Sequence, residues 1–187
     1  TDGACSPFEA LLTSDSEGAT TYSWYVDGEL YGTGLTTEPI SFENDEATDQ
    51  TVTISLAIAD THECYDSIST TIDVFALPEI NIHNDTIICY GDVLGIYATG
   101  GTNYNWSPNI AISDVNSPTP NVNPTENQLY TVEVFSEHLC MSKDSILIVV
   151  MQEPEIILTP EIDTIMIGDT VFSLLVADQE NLTYTWS

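Results

Sequence analysis

Tyr22-Ser23-Trp24 is the first of three copies of one aromatic pair in this 187-residue chain; the others are Tyr104-Asn105-Trp106 and Tyr184-Thr185-Trp186. The tryptophans are 82 and then 80 residues apart. This period is too long for one unit of a helical solenoid and is typical of a small β-sandwich repeated in tandem. In each pair the two aromatics are two residues apart, so on a strand they point to the same face. We therefore predict that all six aromatics lie in the cores of successive sandwiches.

Other landmarks recur at nearly the same interval. The alternating runs 54–58 and 130–134 are typical of half-buried strands, and Pro78 and Pro154 mark junctions between β-rich stretches. The pattern predicts module 1 at 1–77, module 2 at 78–154, and a partial module 3 at 155–187 that holds only N-terminal strands. Because a domain does not end in the middle of its core, we expect the chain to be part of a longer protein, which would also carry any targeting signal.

The composition favours an all-β fold. Thr, Ser, Val, Ile and Tyr are abundant, and no stretch keeps an apolar 3.6-residue period long enough for a substantial helix. In module 2 we predict strands at 93–98, 103–107, 130–135 and 146–150, with turns at Gly100-Gly101 and in 113–124. A module of about 80 residues buries only about 60 to 65% of its unfolded surface, so each Trp is a large part of a thin core.

Charge excludes several classes of partner. The chain has 30 acidic residues and a single Lys or Arg, which is Lys143. Such a chain cannot neutralise phosphates, so nucleic acid is excluded, and anionic membrane surfaces are disfavoured. No stretch is long and apolar enough to insert into a bilayer. A solvated acidic surface in a saline medium is the simplest explanation, and divalent cations or basic partners are the alternative.

Calcium is the one cofactor that the sequence suggests. It needs six to eight oxygen ligands, which loops at module ends often supply. No acidic stretch has the spacing of an EF-hand loop. The candidate ligands are the acidic residues between strands of module 1 and the one in the turn after Trp24, namely Asp27, Glu43, Asp45, Glu46 and Asp49.

Cysteines occur twice in each full module, as Cys5 and Cys64 and as Cys89 and Cys140. This usage indicates disulfides in an exported protein. We predict one bond inside each module, Cys5 with Cys64 and Cys89 with Cys140. Zinc ligation is the alternative, but there is no C-x-x-C spacing and the histidines do not cluster with the thiols.

Module 1 contains a stretch that runs from Tyr22-Ser23-Trp24 to Asp27-Gly28. In this stretch it resembles the polycystic kidney disease (PKD) domain, an immunoglobulin-like sandwich in which a Trp is followed by Asp-Phe-Gly-Asp-Gly. Module 2 contains the stretches Cys89-Tyr90-Gly91-Asp92, Gly100-Gly101, Tyr104-Asn105-Trp106-Ser107-Pro108 and Leu129-Tyr130-Thr131-Val132. In these it is similar to the PKD-like modules of large Bacteroidetes surface proteins, including gliding-motility adhesins and cargo of the type IX secretion system. The resemblance implies tandem immunoglobulin-like modules in an extended array on a bacterial cell surface.

The same resemblance draws attention to a repeated tripeptide, Asp followed by Ser or Thr and an aliphatic residue. In Bacteroidetes secreted proteins it looks like the O-glycan acceptor signal. The alternative is that a repeat family simply copies its strand-edge residues. The resemblance implies glycans on the five hydroxyl residues of these tripeptides, Ser67, Thr86, Ser145, Thr164 and Thr170.

Catalysis finds no support in the sequence. It contains no G-x-S-x-G elbow, no P-loop and no H-E-x-x-H motif. We predict a non-catalytic stalk or filament-forming adhesin scaffold, whose partners are further modules, other copies or surface proteins, and glycans. The alternative is a spacer or carbohydrate-binding module of a secreted polysaccharide-degrading enzyme. Exposed Trp24 and Trp106 would favour glycan binding, whereas buried ones would favour the scaffold or spacer.

Overall fold

The computed structural model describes residues 3–154, 156–158 and 175–177. The regular secondary structure in these residues consists of seventeen strands, β1 to β17, and contains no helix. Accordingly, no helix in this part of the chain could span a membrane. The all-β immunoglobulin-like fold class is confirmed, as the abundance of β-branched and aromatic residues leads one to expect.

The first group of strands forms a sandwich of two sheets. The larger sheet has the order β1-β7-β6-β3-β4, and β2 pairs with β5 in the smaller one. β1 is parallel to the end of β7, and the other pairs are antiparallel. This order corresponds to the G-F-C sheet of an immunoglobulin-like domain with one added strand at each edge, β1 and β4. The strands are β1 Gly3–Cys5, β2 Phe8–Ala10, β3 Thr21–Val26, β4 Glu29–Thr33, β5 Ile40–Phe42, β6 Gln50–Ala59 and β7 Tyr65–Phe75.

The second group repeats the arrangement. One sheet has the order β12-β14-β15-β9, and β9 is parallel to the end of β15 as β1 is to β7. Two short antiparallel pairs, β8 with β11 and β10 with β13, complete the sandwich. The strands are β8 Asn81–Ile82, β9 Thr86–Cys89, β10 Leu94–Gly95, β11 Ala98–Thr99, β12 Asn103–Ser107, β13 Asn121–Val122, β14 Gln128–Phe135 and β15 Met141–Met151. Beyond them, β16 Ile156–Leu158 pairs with β17 Leu175–Ala177.

Three of the four strands expected in module 2 are found. Residues 103–107 coincide with β12, while 130–135 and 146–150 lie within β14 and β15. The single strand expected at 93–98 is wrong, because the segment changes partner midway. Gly95 pairs with Asn121 on β13, whereas Ala98 pairs with Ile82 on β8. The module boundaries at residues 77 and 154 stay a prediction, and most of the partial third module lies outside the described residues.

Each sandwich has its own buried cluster. Trp24 is 6% exposed in the first and Trp106 1% in the second. Their indole N–H groups donate to the carbonyls of Gly34 and Ser117, each at 2.9 Å. The partner tyrosines are half-buried, and the hydroxyl of Tyr104 donates to the carbonyl of Gly101 at 2.8 Å, while that of Tyr22 donates to the carbonyl of Ser16 at 3.1 Å. Both Tyr-x-Trp pairs therefore pack inward with their polar ends satisfied. Tyr184 and Trp186 lie outside the described residues.

Replacing Trp106 with Ala should cost about 3 to 5 kcal/mol, because the change removes a large buried side chain from a thin core. Urea unfolding followed by far-UV circular dichroism would measure the loss. The matched control is Tyr65→Ala, since Tyr65 is 78% exposed and its loss should change stability by no more than about 0.5 kcal/mol. Equal unfolding midpoints for the two variants would contradict this assignment of the core.

Candidate functional site

The described residues bring the two sandwiches together at one junction. The contributing segments are the end of β1, the end of β7, the linker 76–80, and the five-residue loop 136–140 between β14 and β15. This loop is tightly built. The Ser136 Oγ accepts hydrogen bonds from the backbone N–H groups of His138 and Cys140 at 3.3 and 3.2 Å, and Leu139 has a φ of 63°. The loop therefore holds Cys140 and His138 in fixed positions toward the first sandwich.

A disulfide between Cys5 and Cys140 closes the junction. The bond spans 135 residues of sequence, and the two Cα atoms are 5.4 Å apart. Cys140 is 1% exposed. The predicted pairing of Cys5 with Cys64 and of Cys89 with Cys140 is therefore wrong. Cys64 and Cys89 are exposed free thiols in the structure.

The length of the strand β7 prevents a bond between Cys5 and Cys64. Cys5 lies opposite Phe75 at the end of β7, whereas Cys64 immediately precedes its first residue, Tyr65. Ten residues at about 3.3 Å each separate the two places by roughly 33 Å. A disulfide requires Cα atoms less than about 7 Å apart, so Cys5 cannot reach the cysteine of its own hairpin. The hairpin of the following sandwich lies at the end of β7 where Cys5 is found, next to Phe75.

His138 supplies the second contact of the junction. Its ring stacks on Phe75 with centroids 3.8 Å apart and an interplanar angle of 5°. Its Nε2 lies 3.1 Å from Asp49 Oδ2 and 3.7 Å from Glu137 Oε1. The other oxygen of Asp49 accepts a hydrogen bond from the backbone N–H of Ala76 at 2.9 Å, so the carboxylate links the linker to the loop. In a chain with a single Lys or Arg, a histidine ring provides the side-chain partner of Asp49 at this contact.

A cleft of about 530 Å³ lies beside these contacts, between the linker and the loop 136–140. Its lining includes the acidic residues Asp49, Glu79 and Glu137 together with His138. The backbone also approaches closely here. Gly100 has a φ of 110°, and a Cβ atom at this position would overlap the carbonyl of Glu79. Gly100 is therefore required where the linker crosses the second sandwich.

The five calcium candidates do not form one cluster. All are exposed. Asp27 Oδ1 accepts a hydrogen bond from the backbone N–H of Thr53, and Glu43 Oε1 accepts one from the hydroxyl of Ser41. Asp49 belongs to the junction, while Asp45 and Glu46 follow Asn44 in the loop between β5 and β6. Among the described residues, no three His, Cys, Asp or Glu side chains are grouped as ligands for a metal ion. Calcium binding stays a prediction.

The candidate glycosylation sites lie on strands of both sandwiches. Ser67 on β7 and Ser145 on β15 are exposed, and each follows an Asp whose carboxylate accepts the Ser backbone N–H, at 2.8 and 2.7 Å. Thr86 on β9 is half-buried, and its hydroxyl donates to the carbonyl of Asn84. Thr164 and Thr170 lie outside the described residues. Modification of these residues stays a prediction.

Comparison with known proteins yields structural likeness only. No protein-family model matches the chain, and no curated protein matches it. Among solved structures, the fibronectin(III)-like modules of Clostridium thermocellum CbhA share 13% identity over 81% of this chain and 90% of theirs, with a TM-score of 0.35. The insect immune protein hemolin shares 11% identity over 81% and 45%, with a TM-score of 0.38. A Bacteroides ovatus glucan-utilization protein, SGBP-B, in complex with a mixed-linkage heptasaccharide, shares 15% over 79% and 42%, with a TM-score of 0.29. With such low scores the likeness carries no argument about function.

Reduction of the Cys5–Cys140 bond should loosen the junction without unfolding either core. The remaining contacts are one aromatic stack, worth about 0.5 to 1.5 kcal/mol, and the exposed contact of His138 with Asp49, worth about 1 kcal/mol or less. We expect Cys140→Ser to broaden the distribution of distances in small-angle X-ray scattering, while the near-UV circular dichroism of Trp24 and Trp106 is kept. Cys64→Ser, at the corresponding place in the other hairpin, is the control and should scatter like the unchanged chain. Identical scattering from Cys140→Ser would contradict a role of the bond in joining the sandwiches.

Gly100→Ala should destabilise the second sandwich more than Gly91→Ala. Both glycines have positive φ, which costs an L-residue about 1 to 2 kcal/mol. Only Gly100 also has backbone atoms of Glu79 in the space that a Cβ would occupy, whereas the space beside Gly91 is open. Thermal unfolding of both variants would measure the difference. A loss for Gly100→Ala that does not exceed the loss for Gly91→Ala would show that the linker can move away freely.

Proposed function

We propose that this chain is a non-catalytic, extracellular stalk segment of a large bacterial surface or secreted protein, and that it bears mechanical load. The observation that supports this most directly is the disulfide between Cys5 at the start of one sandwich and Cys140 on the hairpin of the next. A bond placed between domains contributes little to either core. It is useful when the relative position of the domains has to withstand force.

The covalent path explains how such a segment would bear load. Tension applied to the two ends of the chain passes directly from Cys5 to Cys140 through the bond. The intervening backbone, including Trp24 and Trp106 and most of the buried core residues, is therefore shielded from extension. Disulfides persist in oxidising compartments, which supports an extracellular location. The excess of 30 acidic residues over one basic residue keeps such a surface soluble and limits unspecific association between copies.

The alternative function, glycan binding by an accessory module, loses its best candidate surface. A platform for sugar rings needs exposed aromatic faces, yet Trp24 and Trp106 are 6% and 1% exposed. Their indole N–H groups are already bonded to backbone carbonyls. A spacer role in a polysaccharide-degrading enzyme is still compatible with this burial, because a spacer and a stalk have the same mechanical requirements.

The PKD-like resemblance supports a more specific assignment. We infer a surface protein of the Bacteroidetes type, such as a gliding-motility adhesin or cargo of type IX secretion, in which copies form a stalk or filament. O-glycans on exposed Ser67 and Ser145 would be accessible on one strand of each sandwich. Calcium bound to acidic loops would reduce repulsion between neighbouring copies.

Single-molecule force spectroscopy on the chain, held at its two ends, tests the load-bearing role. In the oxidised protein, the segment from Cys5 to Cys140, a sequence separation of 135 residues, should contribute no extension. After reduction it should add about 490 Å, at about 3.6 Å per residue. Cys64→Ser is the control and should behave like the unchanged chain. Equal total extension before and after reduction would contradict a load path through the bond.

A binding measurement separates the stalk from the glycan-binding alternative. Calorimetric titration with soluble mixed-linkage glucan should give no heat of binding to this chain. Saturable binding that is abolished by replacing an exposed tyrosine, such as Tyr65 or Tyr90, would favour the accessory module instead.

A further inference from the structure

Cys64 and Cys89 are the described cysteines that the Cys5–Cys140 bond does not use, and both are exposed. Cys64 lies in the hairpin loop of the first sandwich, as Cys140 does in the second. Cys89 ends a strand of the second sandwich, as Cys5 does in the first. The structure therefore contains one complete inter-sandwich linkage and one half of each of two further linkages.

The hairpin loops that carry Cys64 and Cys140 are built alike. In the first, Asp60 N–H donates to the Cys64 carbonyl at 3.1 Å, and in the second, Ser136 N–H donates to the Cys140 carbonyl at 2.9 Å. The Asp60 carboxylate accepts the backbone N–H groups of His62 and Cys64 as the Ser136 hydroxyl accepts those of His138 and Cys140. The N–H groups of Cys64 and His62 lower the pKa of Asp60. The residue before each cysteine has a positive φ, 62° at Glu63 and 63° at Leu139.

The strand ends that carry Cys5 and Cys89 also match. Cys5 lies opposite Phe75, the last residue of β7, and Cys89 lies opposite Met151, the last residue of β15. In each case the next N–H donates to the carbonyl of that last residue, from Ser6 at 3.0 Å and from Tyr90 at 2.8 Å. Cys89 is therefore presented at the end of the second sandwich as Cys5 is at the end of the first.

The chain beyond β15 continues as it does beyond β7. Pro78 is three residues after the end of β7, and Pro154 is three residues after the end of β15. After the second proline, β16 pairs antiparallel with β17, as β8 pairs antiparallel with β11 after the first. A linker of nearly the same length, with its proline at the same place and followed by the same type of strand pair, would bring the hairpin of a following repeat to Cys89.

A second contact in the hairpin supports the same conclusion. His138 stacks on Phe75 of the preceding sandwich, whereas the corresponding His62 has a side chain that is 83% exposed. Within the described residues, the polar contacts of the His62 ring are those with Asp60 and Thr61 of its own loop. The first hairpin thus presents both a thiol and an imidazole in the places that the second hairpin uses to bind its neighbour.

We propose that Cys64 and Cys89 form the same inter-repeat disulfide with neighbouring repeats of the same polypeptide. Cys64 bonds to the strand-end cysteine of a preceding repeat, and Cys89 bonds to the hairpin cysteine of the following one. This inference rests on the proposed function as a repeat stalk. In the third repeat Met166 stands at the position of Cys89 before the matching Gly-Asp, so that repeat accepts a bond from Cys89 but makes none to a fourth.

Each bond requires an oxidant, which we assign to the disulfide of a thiol oxidoreductase in the export compartment. One cysteine thiolate attacks the donor disulfide and forms a mixed disulfide, and the second cysteine thiolate then displaces the donor sulfur. Two protein thiols become one disulfide, and the donor disulfide is reduced to two thiols by the same two electrons and two protons. The proposed bond of Cys89 would close a second covalent loop. Residues 89–140 would belong both to this loop and to the one closed by Cys5 and Cys140.

Peptide mapping of the natural full-length protein under non-reducing conditions tests the proposal. The folded protein is first treated with N-ethylmaleimide and then digested without reductant. We expect that Cys64 and Cys89 do not react with N-ethylmaleimide. Both should appear in peptides that are disulfide-linked to cysteines outside residues 1–187. The isolated 187-residue chain is the control, in which both thiols should be labelled while Cys5 and Cys140 stay linked.

The outcomes separate this inference from the proposed function. Labelled Cys64 and Cys89 in a full-length protein that contains flanking repeats would overturn the inference and leave the stalk intact. Links that occur only in covalent multimers, dispersed by reductant, would also overturn it, because the partner would then be a second copy. A full-length protein without further repeats would instead overturn the repeat stalk itself.

Discussion

The disulfide between Cys5 and Cys140 joins two cores that otherwise share no buried side chain among the described residues. Each core is a thin layer around one tryptophan, and the linker between them is only five residues long, 76–80. Without the bond, the junction depends on the stack of His138 on Phe75 and on the contact of His138 with Asp49. The bond is therefore the covalent constraint that holds the two small domains together at this junction.

Charge makes this covalent constraint more important. The chain carries a formal net charge of −29, so its two sandwiches repel each other at low ionic strength. Lys143 pairs with Glu133 across the strands β14 and β15 of the second sandwich, and its Nζ lies 2.9 Å from Glu133 Oε1. This contact holds the pKa of Glu133 below its usual value. No other Lys or Arg exists to pair with carboxylates at the junction, where Asp49 contacts the ring of His138 instead. A disulfide withstands both repulsion and changes in salt concentration, whereas an ion pair does not.

Much of the fold could be predicted from local patterns. The alternation in 54–58 and 130–134 lies on β6 and β14, and both Tyr-x-Trp pairs lie on strands with the indole ring buried. These features follow from the two-residue period of a strand, which neighbouring residues express directly. The break between β10 and β11 could not be predicted in this way, because it reflects a change of partner between Asn121 and Ile82, which are distant in sequence.

The sequence by itself determined the repeat, the all-β class and the equivalent places of the four cysteines in two modules. A signal for their true pairing was also present, since a strand-end cysteine and a hairpin cysteine lie at opposite ends of one sandwich. Only the tertiary structure decided that Cys5 bonds to Cys140. The physical reason is distance: β7 separates Cys5 from the hairpin of its own sandwich by roughly 33 Å, while the short linker brings the next hairpin to 5.4 Å between Cα atoms.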